Sequence, residues 1–396
     1  MSERLAVRVT RPHQETKNMN NPVTRAISAA GLAAHLGRGV GRVATDAVVG
    51  GRLGLPRRVR DLDAAVLSKV MGTAVRTVRV LDSDAGTSSR ARLVLTGKNV
   101  PDSVFVKLAA KTAATRLMGE LGRLGHTEVR FYRQLAPQVV GTPYAYGTAF
   151  DPWTGRYLLV LEDLPADSCE FPDTLHPLSP EQASLIVELL ADLHATFWNR
   201  LPRDGRGPLG WLYTPSGDVT SLLTGSLMRA SIKRLAERTE IPLESGRFIA
   251  DNYRAVATLI DTPPHAVMHG DAHPGNMYFH GGKAGLLDWQ AVRRGHPSRE
   301  LAYTLITSLT PEDRRTTQRE LLDDYRRSLA AAGGPELDRD ELWLRFRQAA
   351  LYAYVAPLIT AGLGGLQAEE VAMEGLRRGV EALDDLETVA ALKSSL

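Results

Sequence analysis

His265-Ala-Val-Met-His269-Gly-Asp271-Ala-His273-Pro-Gly-Asn276-Met-Tyr-Phe279, followed after a short interval by Ala284-Gly-Leu-Leu-Asp288-Trp-Gln290, is the stretch on which the reading of this chain turns. Its apolar runs at 265–269, 277–279 and 284–287 read as short strands. They place Asp271, Asn276 and Asp288 at strand ends, where polar side chains reach into a cleft. Carboxylate and amide oxygens suit a hard divalent cation, and a nearby carboxylate can take the proton of a hydroxyl. The His269-x-Asp271-x-His273 spacing keeps a second reading open, a metal-dependent hydrolase with Asp288 completing the ligand set.

Outward from this stretch the pattern divides. Upstream, 77–81, 91–96 and 103–108 read as three strands separated by turn-formers at 82–89 and 97–102. A helix over 113–135 follows, then a hairpin of 143–150 and 156–161 around Asp151-Pro-Trp-Thr-Gly155. A short helix over 61–71 precedes them. From Ser179-Pro-Glu-Gln182, a capping-box spacing, helices dominate to the C-terminus. The expectation is an α+β protein with a five-stranded antiparallel sheet plus a helix in an N-lobe and a larger helical C-lobe.

Composition narrows the function classes. Hydrophobic residues make up 43% and charged ones 23%, ordinary for a globular protein. The single cysteine, Cys169, excludes an internal disulfide and a cysteine-based metal framework. Residues 1–60 hold 11 Lys or Arg against 3 Asp or Glu, net +8, so the formal +3 of the chain leaves the remainder acidic. No nucleic-acid-binding motif accompanies that basic arm, and nucleic acid is not expected as a partner. The uncharged run 348–368 is broken by Pro357 and several glycines and reads as a buried helix ending in a glycine turn. No membrane span is expected, and the localisation is read as cytoplasmic.

The segment His269-Gly-Asp271-x-His273-x-x-Asn276 with the Leu-Asp288-Trp-Gln stretch resembles the phosphotransferase superfamily of aminoglycoside, choline and ecdysteroid-like kinases. Asp271 and Asn276 stand in the D-x-x-x-x-N spacing of the protein-kinase catalytic loop. The resemblance implies a two-lobed protein-kinase-like fold, ATP and Mg²⁺ as cofactors, and a small-molecule hydroxyl as acceptor. It makes Asp271 the catalytic base and Asn276 and Asp288 the metal ligands. It makes Lys107, in Ser-Val-Phe-Val-Lys107, the phosphate clamp paired with Glu128, residues 86–89 (Gly86, Ser88 and Ser89 among them) the phosphate cover, and Glu162 and Leu164 the adenine-receiving hinge. Lys107 on its own also fits an edge-strand lysine. Gly270 stands where protein kinases carry an arginine, and no Ala-Pro-Glu follows Asp288, which disfavours a phosphorylation-gated enzyme. The implied division is a basic arm over 1–56, a nucleotide-binding N-lobe over 57–163 and a C-lobe over 164–396. An ATP-binding scaffold without turnover is the remaining alternative.

Overall fold

The computed structural model describes residues 22–50, 55–86, 88–198, 200–202, 206–364 and 367–396. The first 21 residues of the basic arm, and Thr87 of the expected phosphate cover, lie outside the described residues. Five strands, β1 (Val75–Ala85), β2 (Ser88–Gly97), β3 (Ser103–Ala109), β4 (Ala145–Phe150) and β5 (Tyr157–Glu162), form an antiparallel sheet in the order β1-β2-β3-β5-β4. Period-two alternation sets its faces. Val104, Val106 and Leu108 of β3 are fully buried with Leu93, Leu95, Leu158 and Val160 on one face. Phe105 and Lys107 therefore point to the other. Because β3 is flanked by β2 and β5, Lys107 is not an edge-strand residue.

Among the described residues two α-helices precede β1. In α1 (Pro22–Val49), Asp46 is 6% exposed and pairs with Arg116 and, at 2.7 Å, with Arg156 Nη2. The part of the arm that reads only as Gly- and Ala-rich is thus a helix docked on the sheet lobe. Next comes α2 (Ala64–Met71), capped by Asp63, whose carboxylate accepts from Val66 N at 2.8 Å, and ended by Gly72 at φ +69°. It covers the Val104 face with Leu67.

Two expectations change in this half. The single helix over 113–135 is two, α3 (Ala113–Leu121) and α4 (Leu124–Gln134), because Gly122 is followed by Arg123 at φ +55°, which no α-helix continues through. The wide turn expected at 82–89 is mostly strand: β1 and β2 pair as far as Ala85 opposite Ser89.

The larger part is helical. It comprises α5 (Pro180–Phe197), α6 (Ser221–Leu235), α7 (Ser245–Ile260), α8 (Pro297–Ser308), α9 (Pro311–Ala331), α10 (Arg339–Ala349), α11 (Leu351–Leu363), α12 (Glu369–Asp385) and α13 (Thr388–Lys393). At the start of α5, Ser179 and Gln182 exchange the two expected capping bonds. The uncharged run supplies α11, buried at Leu351–Val355 and ended by Gly364 at φ +71°. Among the described residues no helix is long and apolar enough to cross a membrane.

Between these halves lie five short strands: β6 (Cys169–Glu170), β7 (Ala266–Met268), β8 (Met277–His280), β9 (Lys283–Leu286) and β10 (Arg293–Gly295). They form a β7–β10 pair and a β6-β8-β9 sheet. Three of them fall where the sequence predicts strands. The other two, β6 (Cys-Glu) and β10 (Arg-Arg-Gly), carry no apolar run to mark them.

Candidate active site

The side chain of Lys107, 3% exposed, ends between two carboxylates, 2.8 Å from Glu128 Oε2 and 2.7 Å from Asp288 Oδ1. Three elements meet there. β3 supplies the lysine, and α4, redirected by the break at Arg123, supplies Glu128. Asp288 follows β9 at φ 59° and ψ 63°, a left-handed conformation rare outside glycine. Trp289 holds that strained residue in place: it is fully buried, stacks on Phe131 of α4 with ring centroids 4.0 Å apart, and donates Nε1 to Leu286 O at 3.2 Å. One indole thus ties the Asp288 loop to the helix that carries Glu128.

Burial opposes every charge in this triad, and the outcome depends on partners. Desolvation disfavours the Lys107 ammonium, but Asp288 and Glu128 overcome it and raise its pKa. Desolvation also pushes Asp288 upward, yet the ammonium holds its carboxyl below the usual range. Glu128 receives the weaker share: burial, only partly offset by Lys107, pushes it up to about 7.

The loop between β7 and β8 is held from beneath. Glu300, in the first turn of α8, accepts from His269 N at 3.0 Å and from Gly270 N at 2.6 Å. Its carboxylate also meets His194 Nε2 at 3.1 Å, and His194 Nδ1 meets the Tyr325 hydroxyl at 2.9 Å. The His269 ring is fully buried, with Nε2 2.7 Å from Leu287 O and Nδ1 accepting from Asp271 N at 3.3 Å. Both its nitrogens are therefore used within the loop. Asp271 Oδ1 accepts from the Tyr303 hydroxyl at 2.8 Å, and Asn276 Nδ2 donates to Asp271 O at 2.9 Å. Because Nδ2 faces that carbonyl, Asn276 Oδ1 is turned the other way and is free to act as an oxygen ligand. Leu287 N donates to Asn276 O at 2.8 Å, fastening Asn276 close to Asp288.

Asn276 and Asp288 line a cleft with Lys107 and Glu128, and Glu162 and Leu164 lie along its far wall. Glu162 N is already bonded to Tyr144 O at 2.7 Å. Gly86, Asp271, Asn276 and Asp288 line one adjoining opening. Ser88 and Ser89 are 2% and 0% exposed on β2, opposite Ala109 and Leu108, and line neither space. The sequence reading missed Arg90 and Arg92, which alternate toward the cleft along β2, and Arg92 reaches Asp163 at 3.0 Å. Glu300 was missed too, and only the helix start at Pro297 hints at it. The sequence reading gave no role to the Tyr303 hydroxyl, which donates to Asp271.

The Lys107 ammonium can pair with an anionic group, the Asn276 and Asp288 oxygens beside it can hold a hard cation, and Asp271 stands on the adjoining loop. A family model described as the phosphotransferase enzyme family matches residues 80–346. Among solved structures the chain is similar to a protein of Ralstonia eutropha JMP134 provisionally named an aminoglycoside phosphotransferase, at 16% identity and TM-score 0.53, covering 84% of this chain and 97% of that one. Choline kinase LicA from Streptococcus pneumoniae aligns at 17% identity and TM-score 0.45, over 78% and 94% of the two chains. An ethanolamine kinase of Plasmodium vivax aligns at 12% identity and TM-score 0.48, over 81% and 83%. No curated protein matches.

Proposed function

Since the chain belongs to the phosphotransferase enzyme family, we propose that it is an ATP-dependent small-molecule kinase that phosphorylates a hydroxyl. The observation that carries this reading is the Lys107 ammonium set between Glu128 and Asp288, with Asp271 and Asn276 on the adjoining loop. Mg-ATP, when bound, supplies the γ-phosphoryl group. The residues fit such a ligand: Asn276 Oδ1 and the Asp288 carboxylate are the hard oxygen donors Mg²⁺ requires, and Lys107 clamps phosphate oxygens. Glu162 and Leu164 border the adenine, and Gly86 closes over the phosphates. Asp271, oriented by Tyr303 and Asn276, accepts the acceptor's proton as its oxygen bonds to phosphorus and ADP departs.

In this reading residues 1–56 form an arm, 57–163 the nucleotide lobe and 164–396 the lobe that holds the acceptor, in a cytoplasmic enzyme. The hydrolase alternative loses ground because both His269 nitrogens are occupied and His273 Nδ1 already accepts from Gly275 N at 3.1 Å.

The test is ADP release across hydroxylated compounds, with variants as controls. A general base is worth roughly 10²- to 10⁴-fold, so Asp271→Asn should lower turnover by that order. Asp288→Ala should be at least as damaging, because it removes a metal ligand and the partner of Lys107. Near-normal turnover in Asp288→Ala, or wild-type protein that does not bind Mg-ATP, would end this reading.

A further inference from the structure

On the side of Asp271 away from Lys107 there is a second cavity, of about 270 Å³, between α7, α8, α11 and β10. It shares no lining residue with the Lys107 cleft. Tyr253, Tyr303 and Tyr352 wall it, with apolar surface from Met268 and Val355. Its charged lining is the unusual part. Arg293 and Arg299 both contribute, and among the described residues neither forms an ion pair with a carboxylate. Arg293 Nε is bonded only to Ala291 O, at 2.9 Å. The Arg299 guanidinium lies 3.8 Å over the Tyr352 ring, and its Nη1 is buried without a hydrogen-bond partner. The hydroxyl of Tyr352, a residue 4% exposed, is likewise buried and unpartnered.

Two of the carboxylates around the cavity, Glu300 and Asp271, are engaged within the protein. Both oxygens of Glu300 are taken by the His269 and Gly270 amides. Asp271 is held by Tyr303. Asp261, whose charge Arg299 feels, does not line the cavity; its Oδ2 accepts from Ser216 N at 2.6 Å, its Oδ1 is buried without a partner, and burial pushes its carboxyl upward, toward the neutral form. Among the described residues two guanidiniums without an ion pair, one of them with a buried unpartnered nitrogen, and a buried unpartnered hydroxyl thus stand in a cavity that opens on Asp271. Buried donors left in that condition are costly, and planar guanidinium forks match a carboxylate in both charge and shape. A polycationic acceptor would meet like charge there.

We propose that this cavity receives the acceptor, and that the acceptor is a hydroxylated carboxylic acid with an aromatic or branched apolar body, its carboxylate seated on Arg293 and Arg299. A carboxylate is favoured over a phosphate monoester because a second dianion would crowd the phosphoryl group being transferred. The proposal rests on the phosphotransferase reading and names that enzyme's substrate class.

Calorimetric titrations separate the two. Mg-ADP is titrated first. If wild-type protein does not bind it, the phosphotransferase reading falls, and the cavity is judged on nucleotide-free protein alone. Three matched probes follow: phenyllactate, its neutral amide, and the cationic amino alcohol phenylalaninol. Phenyllactate is expected to bind at millimolar concentration, and the other two about ten-fold more weakly or worse. Arg299→Gln and Arg293→Gln are each expected to weaken phenyllactate by about ten-fold or more, with thermal midpoints confirming that the variants fold. No binding of phenyllactate, equal binding of phenylalaninol, or an unchanged affinity in both arginine variants would each overturn the proposal.

Discussion

The φ of Gly270 is +84°, in the region that side-chain-bearing residues rarely adopt, and a Cβ built there would stand 2.2 Å from the Ala291 carbonyl oxygen. That oxygen belongs to the backbone leading into β10, so it cannot swing aside as a side chain would. Gly270→Ala must therefore strain the residue, at about 1–2 kcal/mol for the left-handed conformation alone, and also spread the β7–β10 pair. Urea denaturation should show at least that loss, and ADP release should fall because Asp271 is the next residue. The sequence reading noticed this glycine only as a departure from the arginine of protein kinases; its steric reason needs β10, which left no signal. Asp271, Asn276 and Asp288 were legible because strand-end polar residues at fixed spacing form a local pattern. Lys107 and Glu128 were legible only as a hypothetical pair, and their contact through 2.8 Å is a tertiary fact. Ser88 and Ser89 show the opposite failure, since hydroxyls near a turn look available in sequence, whereas strand pairing buries them.

Helix α8 shows how an element conveys order to such a site. Its first turn carries Glu300, whose carboxylate caps two backbone amides of the loop after β7, and its next turn carries Tyr303, which holds Asp271. Burial would push the Glu300 carboxyl up, but His194 and the Gly270 amide hold it below the usual range, so it is an acceptor at both oxygens. Glu300→Gln keeps the size and loses one acceptor, setting an amide NH₂ against a backbone N–H. The expected cost is roughly 1–3 kcal/mol of stability. On the proposed placement of Mg-ATP against the Lys107 cleft, kcat should fall while KM for ATP stays near wild type. A KM that rose in step with the fall in kcat would instead assign Glu300 to nucleotide binding. Elements were more legible than their junctions. Five sheet strands and the capped start of α5 follow from alternation and from Ser179-x-x-Gln182. The break between α3 and α4 did not, because Gly122-Arg123 interrupts a continuous apolar stripe, and only the packing of α4 on Trp289 requires the change of direction.

Among the described residues, four histidines are held neutral by burial: His126 of α4, lowered to about 4, and His265, His269 and His296 around β7 and α8, all below their ordinary 6.5. They span both lobes, so their protonation couples to global unfolding. The sign follows from where protons bind. Below 6.5 the unfolded chain takes up protons that these folded sites refuse, so stability is fully present above 6.5 and is lost as pH falls toward about 4. Glu128 works against this trend. Raised from 4.5 to about 7, it binds a proton in the folded state that the unfolded chain releases, which favours folding on acidification between those values. Glu120, Asp192 and Asp261, also pushed up by burial, work in the same direction as Glu128. The histidine share is therefore read by difference, from the unfolding free energy between about pH 6.5 and about pH 5, where each proton taken up only on unfolding is worth about 1.4 kcal/mol per pH unit. Urea midpoints across that window check it. Replacing His296, which burial holds well below 6.5, by Gln should make the slope less positive by about one proton's worth, about 1.4 kcal/mol per unit. An unchanged slope in that variant would mean that His296 takes up its proton in the folded state, against the burial on which the expectation rests.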